Sequence, residues 1–140
     1  MVPVTAGDTP SLTLVAMVAG VEMGLKLAGV ALAGSGVQAT VEFSALPLLG
    51  RAREFADDGY VTGASGRNWA SYGDAVQLSA GLGDVEKALL TDPQTSGGLL
   101  LAVPKQKADR LLAALDQRGI QAAAIGVVTR EMPGAIRVKK

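Results

Sequence analysis

The stretch LTDPQTSGGLLLAV, Leu90 to Val103, decides how the chain is organised. Asp92-Pro93 ends the segment before it, because a residue preceding proline avoids helical geometry. Gly98 to Val103 reads as a strand, and its continuous apolar run predicts cover on both faces. Between the two lie Gln94, Thr95, Ser96, Gly97 and Gly98, more hydrogen-bonding groups than a turn needs. A helix is therefore handed to a strand through a polar bend.

Working outward, Asp84 is placed to cap a short helix through Leu90 that buries Val85, Ala88 and Leu89. Downstream, Lys105 to Arg118 carries Ala108, Leu111, Leu112 and Leu115 on one helical stripe, with Gly119 in the left-handed stop position. Ala122 to Val128 and Ala135 to Val138 are strands separated by a turn at Pro133-Gly134. Upstream, Val37, Ala39, Val41 and Phe43 alternate with Gln38, Thr40 and Glu42, the period of a strand with one wet face. Ser44 then opens a helix with Leu48, Ala52, Phe55 and Ala56 inward and Arg51, Arg53, Glu54 and Asp57 toward solvent, stopped by Gly59. Tyr60 to Gly83 reads as a long irregular segment with one short helix near Asn68 to Tyr72. Such loops are usually functional or mobile. Thr9-Pro10-Ser11 starts a helix that runs apolar on nearly every side until Gly34-Ser35-Gly36. The mixed order of helices and strands predicts an α+β fold, a mixed β-sheet with helices packed on it, in a single domain.

Composition narrows the chemistry. Apolar residues are 49% of the 140 residues and aromatics 4%, so the interior is built from aliphatic side chains. Thirteen basic residues balance thirteen acidic ones, and the basic tail Arg137, Lys139, Lys140 is too small to grip a nucleic acid backbone. With no Cys and no His, thiolate and imidazole chemistry are excluded for this chain. Leu12 to Ala33 is long enough for a bilayer, but Glu22 and Lys26 sit in its middle at i,i+4, which favours a buried helix over a membrane span. A small membrane-anchored protein is the rival that rests on this segment alone.

Two motifs have the makings of a site. Gly97 and Gly98 leave backbone N–H groups uncovered and Thr95 and Ser96 add hydroxyls, so four neighbours can converge on a phosphate-like oxyanion. Equally, Asp92 and Thr95 can close turns on their own backbone while the glycines ease entry into a crowded strand. In Gly63-Ala64-Ser65-Gly66-Arg67-Asn68, small residues lead to a guanidinium and an amide suited to phosphate oxygens, or to a solvated surface loop. Trp69, the one Trp, reads as a packing anchor.

Asp92-Pro93-Gln94-Thr95-Ser96-Gly97-Gly98-Leu99-Leu100 resembles the signature of the C-terminal domain of selenophosphate synthetases (selenide, water dikinases). Ala45-Leu46-Pro47-Leu48-Leu49 is similar to the same family. Gly63, Ser65 and Asn68 fall where the family has Gly-Gly-Thr-x-x-Asn, with Ala64 and Ser65 as departures. Residues 1–27 offer no match. The resemblance implies the mixed sheet of aminoimidazole ribonucleotide synthetase-like C-terminal domains, related in part to a ferredoxin-like plait. It implies an enzyme that makes selenophosphate from selenide, ATP and water, with magnesium, in the cytoplasm, as a homodimer whose catalytic residues and metal ligands lie in an N-terminal ATP-binding domain absent here. On that reading this chain has no catalytic residue or metal ligand, binds no cofactor alone and is inactive in isolation, with no nucleic acid or membrane as partner. Thr95, Ser96, Gly97 and Gly98 are the expected phosphate contacts, with Gln94 and Asp92 shaping the bend and Asn68 and Arg67 assisting. The alternative is a non-catalytic regulatory or assembly module that kept the fold.

Overall fold

The alternation over Val37 to Phe43 produces the strand it predicts, β2 (Gln38–Glu42), and the sheet grows from both its edges. The computed structural model describes residues 12–17, 36–93, 99–130 and 134–140. In chain order they form β1 (Leu12–Met17), β2, α1 (Ala52–Asp57), α2 (Gly63–Tyr72), β3 (Val76–Leu78), α3 (Asp84–Thr91), β4 (Leu100–Pro104), α4 (Lys105–Asp116), β5 (Ala122–Thr129) and β6 (Ile136–Lys139). The strands make one six-stranded sheet in the order β3-β6-β2-β5-β1-β4. β6 runs parallel to both β3 and β2, whereas β2–β5, β5–β1 and β1–β4 are antiparallel. The fold is α+β with a mixed sheet, as the sequence predicts.

β4 and β5 each run antiparallel to β1, so they are parallel to one another, and α4 is the crossover between them. That split βαβ unit is the ferredoxin-like half of the architecture. Side chains alternate across β1: Leu14 and Ala16 join the main core with Val41, Leu90, Ile125, Ile136 and Val138. Val15, pointing the other way, is also fully buried, and α4 packs along β1, β4 and β5. α4 thus covers the Val15 face of this half of the sheet, and the main core lies on the other. Gly126 sits directly opposite Val41, and a Cβ there would lie 2.0 Å from the carbonyl oxygen of Thr40, so only glycine lets β2 and β5 approach this closely.

Several expectations are corrected. Leu12 to Met17, read as the start of a long helix, is a strand bonded on both sides. A run whose single polar residue is Thr13 shows no clear period, and the pairing partners that settle it lie more than eighty residues away in the chain. The rest of that expected helix, with Glu22 and Lys26, lies outside the described residues. Ser44 caps no helix but sits in the middle of a 3-10 turn, Phe43–Ala45, and α1 begins only at Ala52, after Arg51 in the left-handed region at φ 63°. Phe55 consequently faces outward, while Ala56 is buried. The segment 60–83 is not irregular: it holds all of α2 and the edge strand β3. Gln38, assigned to a wet face, is fully buried, and its amide bonds to none of the described residues. β4 is covered only in part, with Ala102 exposed, because it is an edge strand. The helix over 105–116 and its stop at Gly119, φ 69°, match the sequence reading.

Candidate functional site

α2 and α3 lie against each other and carry the described part of the predicted site. α2 starts where Thr62 Oγ1 accepts the Ser65 N–H at 3.2 Å, and the two hydroxyls sit 3.1 Å apart, burying Ser65. Gly63-Ala64-Ser65-Gly66 is therefore the first turn of a helix and not a loop. Consecutive helical residues point about 100° apart, so Arg67 and Asn68 diverge. Arg67 is exposed, whereas Asn68 turns toward α3 and its Nδ2 donates to the Thr91 carbonyl oxygen at 2.9 Å.

Thr91 is the last residue of α3, and its position is fixed twice. Its hydroxyl donates to the Lys87 carbonyl at 2.7 Å, and its own carbonyl is taken by Asn68. Asp92 follows in extended geometry, ψ 124°, as expected ahead of Pro93. The polar bend thus leaves the C-terminal end of a helix, the end whose dipole disfavours anions. Asn68 masks one of its bare carbonyls. An oxyanion bound beyond this point needs donors from the bend itself. Gln94, Thr95, Ser96, Gly97 and Gly98 lie outside the described residues; of the predicted set, the structure brings Asn68 to the entrance of the bend and leaves Arg67 in solvent.

The other end of α3 has residues the sequence reading missed. The N-cap is Gly83, not Asp84: Glu86 Oε2 accepts the Gly83 N–H at 2.7 Å while Oε1 accepts from Arg53 Nη2. Glu86 is buried, yet the Gly83 N–H and the Arg53 guanidinium hold its carboxyl below the usual glutamate value, the first being the larger cause and outweighing desolvation. Arg53, predicted to be simply solvated, also stacks over Phe43 at 5.7 Å from the ring centre and so ties α1 to α3. The available signal was a Glu three residues after a glycine, the N3 half of a capping box. Trp69 is the packing anchor expected, set against the core with Lys87 Nζ 5.7 Å from its ring.

Two hollows of about 190 and 240 Å³ meet along Val61, Ser65 and Ala88. Together they form a trough over α1, α2 and α3 that reaches Thr91 and Asp92, the threshold of the bend. A recess of about 380 Å³ lined by Phe43, Leu46, Leu82, Arg53, Glu86 and Lys140 holds none of the predicted site residues. Among the described residues no three acidic side chains gather as a metal would need, and no helix is long and apolar enough to cross a membrane.

A mixed sheet with a split βαβ half, together with a helix followed in sequence by the Gly-rich stretch 94–98 and an edge strand, defines a class. Residues 27–139 match the family described as AIR synthase related protein, C-terminal domain, and the chain belongs to that family. Within it, the chain is similar to proteins named selenide, water dikinase. One from Dechloromonas aromatica is 47% identical over 102 residues, 72% of this chain and 29% of the relative. One from Burkholderia pseudomallei is 50% identical over 106 residues, 75% of this chain and 29% of the relative. A third, from Rhizobium meliloti, is 46% identical over 100 residues, 71% of this chain and 28% of the relative. The chain spans less than a third of the length of these relatives.

Proposed function

We propose that this chain is the C-terminal domain of a selenide, water dikinase, one domain over its 140 residues, and that it completes the phosphate or product side of a site whose nucleotide-binding half is N-terminal. The full enzyme would make selenophosphate, AMP and phosphate from selenide, ATP and water, as a cytoplasmic homodimer using magnesium. Thr95, Ser96, Gly97 and Gly98 would donate to the anion, with Gln94 and Asp92 shaping the bend. Asn68 acts as a positioning residue through Thr91, and Arg67 supplies a nearby positive charge. The described residues offer no acidic cluster for magnesium, so its ligands would come from the N-terminal part.

The observation that carries this reading is that the matched region, residues 27–139, contains all eight of these residues, and the described part of it fixes the bend's entrance by the Asn68–Thr91 bond. The test joins this chain to the N-terminal part of the Dechloromonas aromatica relative and measures ATP-dependent selenophosphate formation. Thr95→Ala with Ser96→Ala is expected to lower the rate about a hundredfold or more, the scale of losing one donor aimed at developing charge. An unchanged rate removes the bend from the site. A joined protein that folds but never turns over would favour the non-catalytic module.

A further inference from the structure

The exposed apolar side chains are unevenly spread. Leu49, Phe55, Tyr60 and Val61 fall within thirteen residues of one another around α1, with Phe55 at 44%, Val61 at 48% and Tyr60 at 76% exposure. Phe55 and Tyr60 meet edge to face, 6.1 Å between ring centres, and both line the trough with Val61, Ala88 and Leu89. Arg51, the one non-glycine with positive φ among the described residues, holds its guanidinium 4.8 Å over the Phe55 ring. Backbone strain of this kind persists where the surroundings over-determine it. A preformed aromatic surface of this sort, left in water, marks a contact.

We infer that the Phe55–Tyr60–Val61 surface and its trough are where the N-terminal part of the full-length enzyme docks on this domain. This rests on the reading that the chain works within a longer protein, whose relatives extend well beyond it: the chain covers only 29% of their length. The trough ends at Thr91 and Asp92, so a partner seated there would close over the threshold of the polar bend, and ligand sites favour such interdomain clefts. A second copy fits less well. Arg51 over Phe55 with its partner Glu54, and Asp84, Lys87 and Asp92 lining the trough, put two basic against three acidic groups beside the surface, so a two-fold pairing of this face with itself would set net negative charge against the same charge. The complementary surface is apolar with a basic rim.

Hydroxyl-radical footprinting reads these side chains directly. In the 140-residue chain and in the protein joined to the Dechloromonas aromatica N-terminal part, oxidation of Tyr60 and Phe55 is compared with that of Val127, exposed on β5. Joining is expected to slow Tyr60 and Phe55 at least fivefold and leave Val127 unchanged. Tyr60→Asp, at a side chain that is mostly solvated, is expected to restore Phe55 oxidation without loss of the domain's own fold. Equal oxidation of Tyr60 in both forms overturns the inference, and if selenophosphate is still made, it overturns this inference alone. Protection with no turnover would instead retain the surface and sink the proposed activity. Protection already present in the 140-residue chain and lifted by dilution would assign the face to a second copy and overturn the inference.

Discussion

The two helical layers of this domain are built on different principles. α4 is a regular amphipathic helix that rests Ala108 and its neighbouring leucines on β1, β4 and β5, and Arg118, two residues past its end, donates back to the Ala114 carbonyl in its last turn. The α1–α3 layer is held by polar contacts between residues far apart in sequence, Arg53 with Glu86 and Asn68 with Thr91. Apolar packing tolerates rearrangement so long as volume is kept, whereas a buried polar contact fails when its geometry shifts. The layer that leads into the polar bend is therefore the one fixed in direction as well as in place.

The sheet beneath both layers should be the least forgiving element. Gly126→Ala places a methyl against the Thr40 backbone, which no rotamer relieves, and a loss of about 3 kcal/mol or more is expected in a urea titration. A loss below about 1 kcal/mol would mean that β2 and β5 can separate, and that the site layer does not rest on a rigid floor. Asn68→Ala comes next, at about 1–2 kcal/mol, because it leaves the Thr91 carbonyl without its donor. The same measurement on Gln106→Ala, exposed on α4, should stay within about 0.5 kcal/mol. In the joined enzyme Asn68→Ala should also lower kcat with KM for ATP little changed, and the α4 variant neither; equal effects from both would erase the distinction between the layers.

Glu86→Gln is expected to cost about 1 kcal/mol at neutral pH, as it weakens a charge-assisted pair with a half-exposed arginine. Its pH dependence is the sharper test. Because the folded state holds Glu86 below its ordinary value of 4.5, the stabilisation is fully present above that pH and is lost as pH falls through the folded value. The wild-type and Glu86→Gln stabilities should converge on acidification, and a constant gap would show that the carboxylate charge does not lock α1 to α3. Smallest of all, Arg67→Ala should leave stability within about 0.5 kcal/mol, since the side chain is exposed. A several-fold rise in KM for ATP in the joined enzyme would add Arg67 to the site, and no change would leave it a solubilising charge.

What the sequence determined by itself was local. The alternation over Val37 to Phe43, the stripe along α4 with Gly119 at its end, the stop at Asp92-Pro93 and the packing role of Trp69 are all set by residues within a turn or two of one another. The mixed α+β class followed from their order. The polar bend was legible as a motif, and its family emerged from nine consecutive residues. What only the tertiary structure decided were the pairings across long stretches of chain. Leu12 to Met17 is a strand because β4 and β5 flank it, and a run with Thr13 as its single polar residue carries too little period to say so. Three-residue β3 exists because β6 offers it an edge. Asn68 serves α3 and Glu86 serves α1 because partners 23 and 33 residues away were brought within bonding distance. Periodicity and capping are short-range physics written in neighbouring residues, while hydrogen-bond partners across the fold are chosen only once the chain has closed on itself.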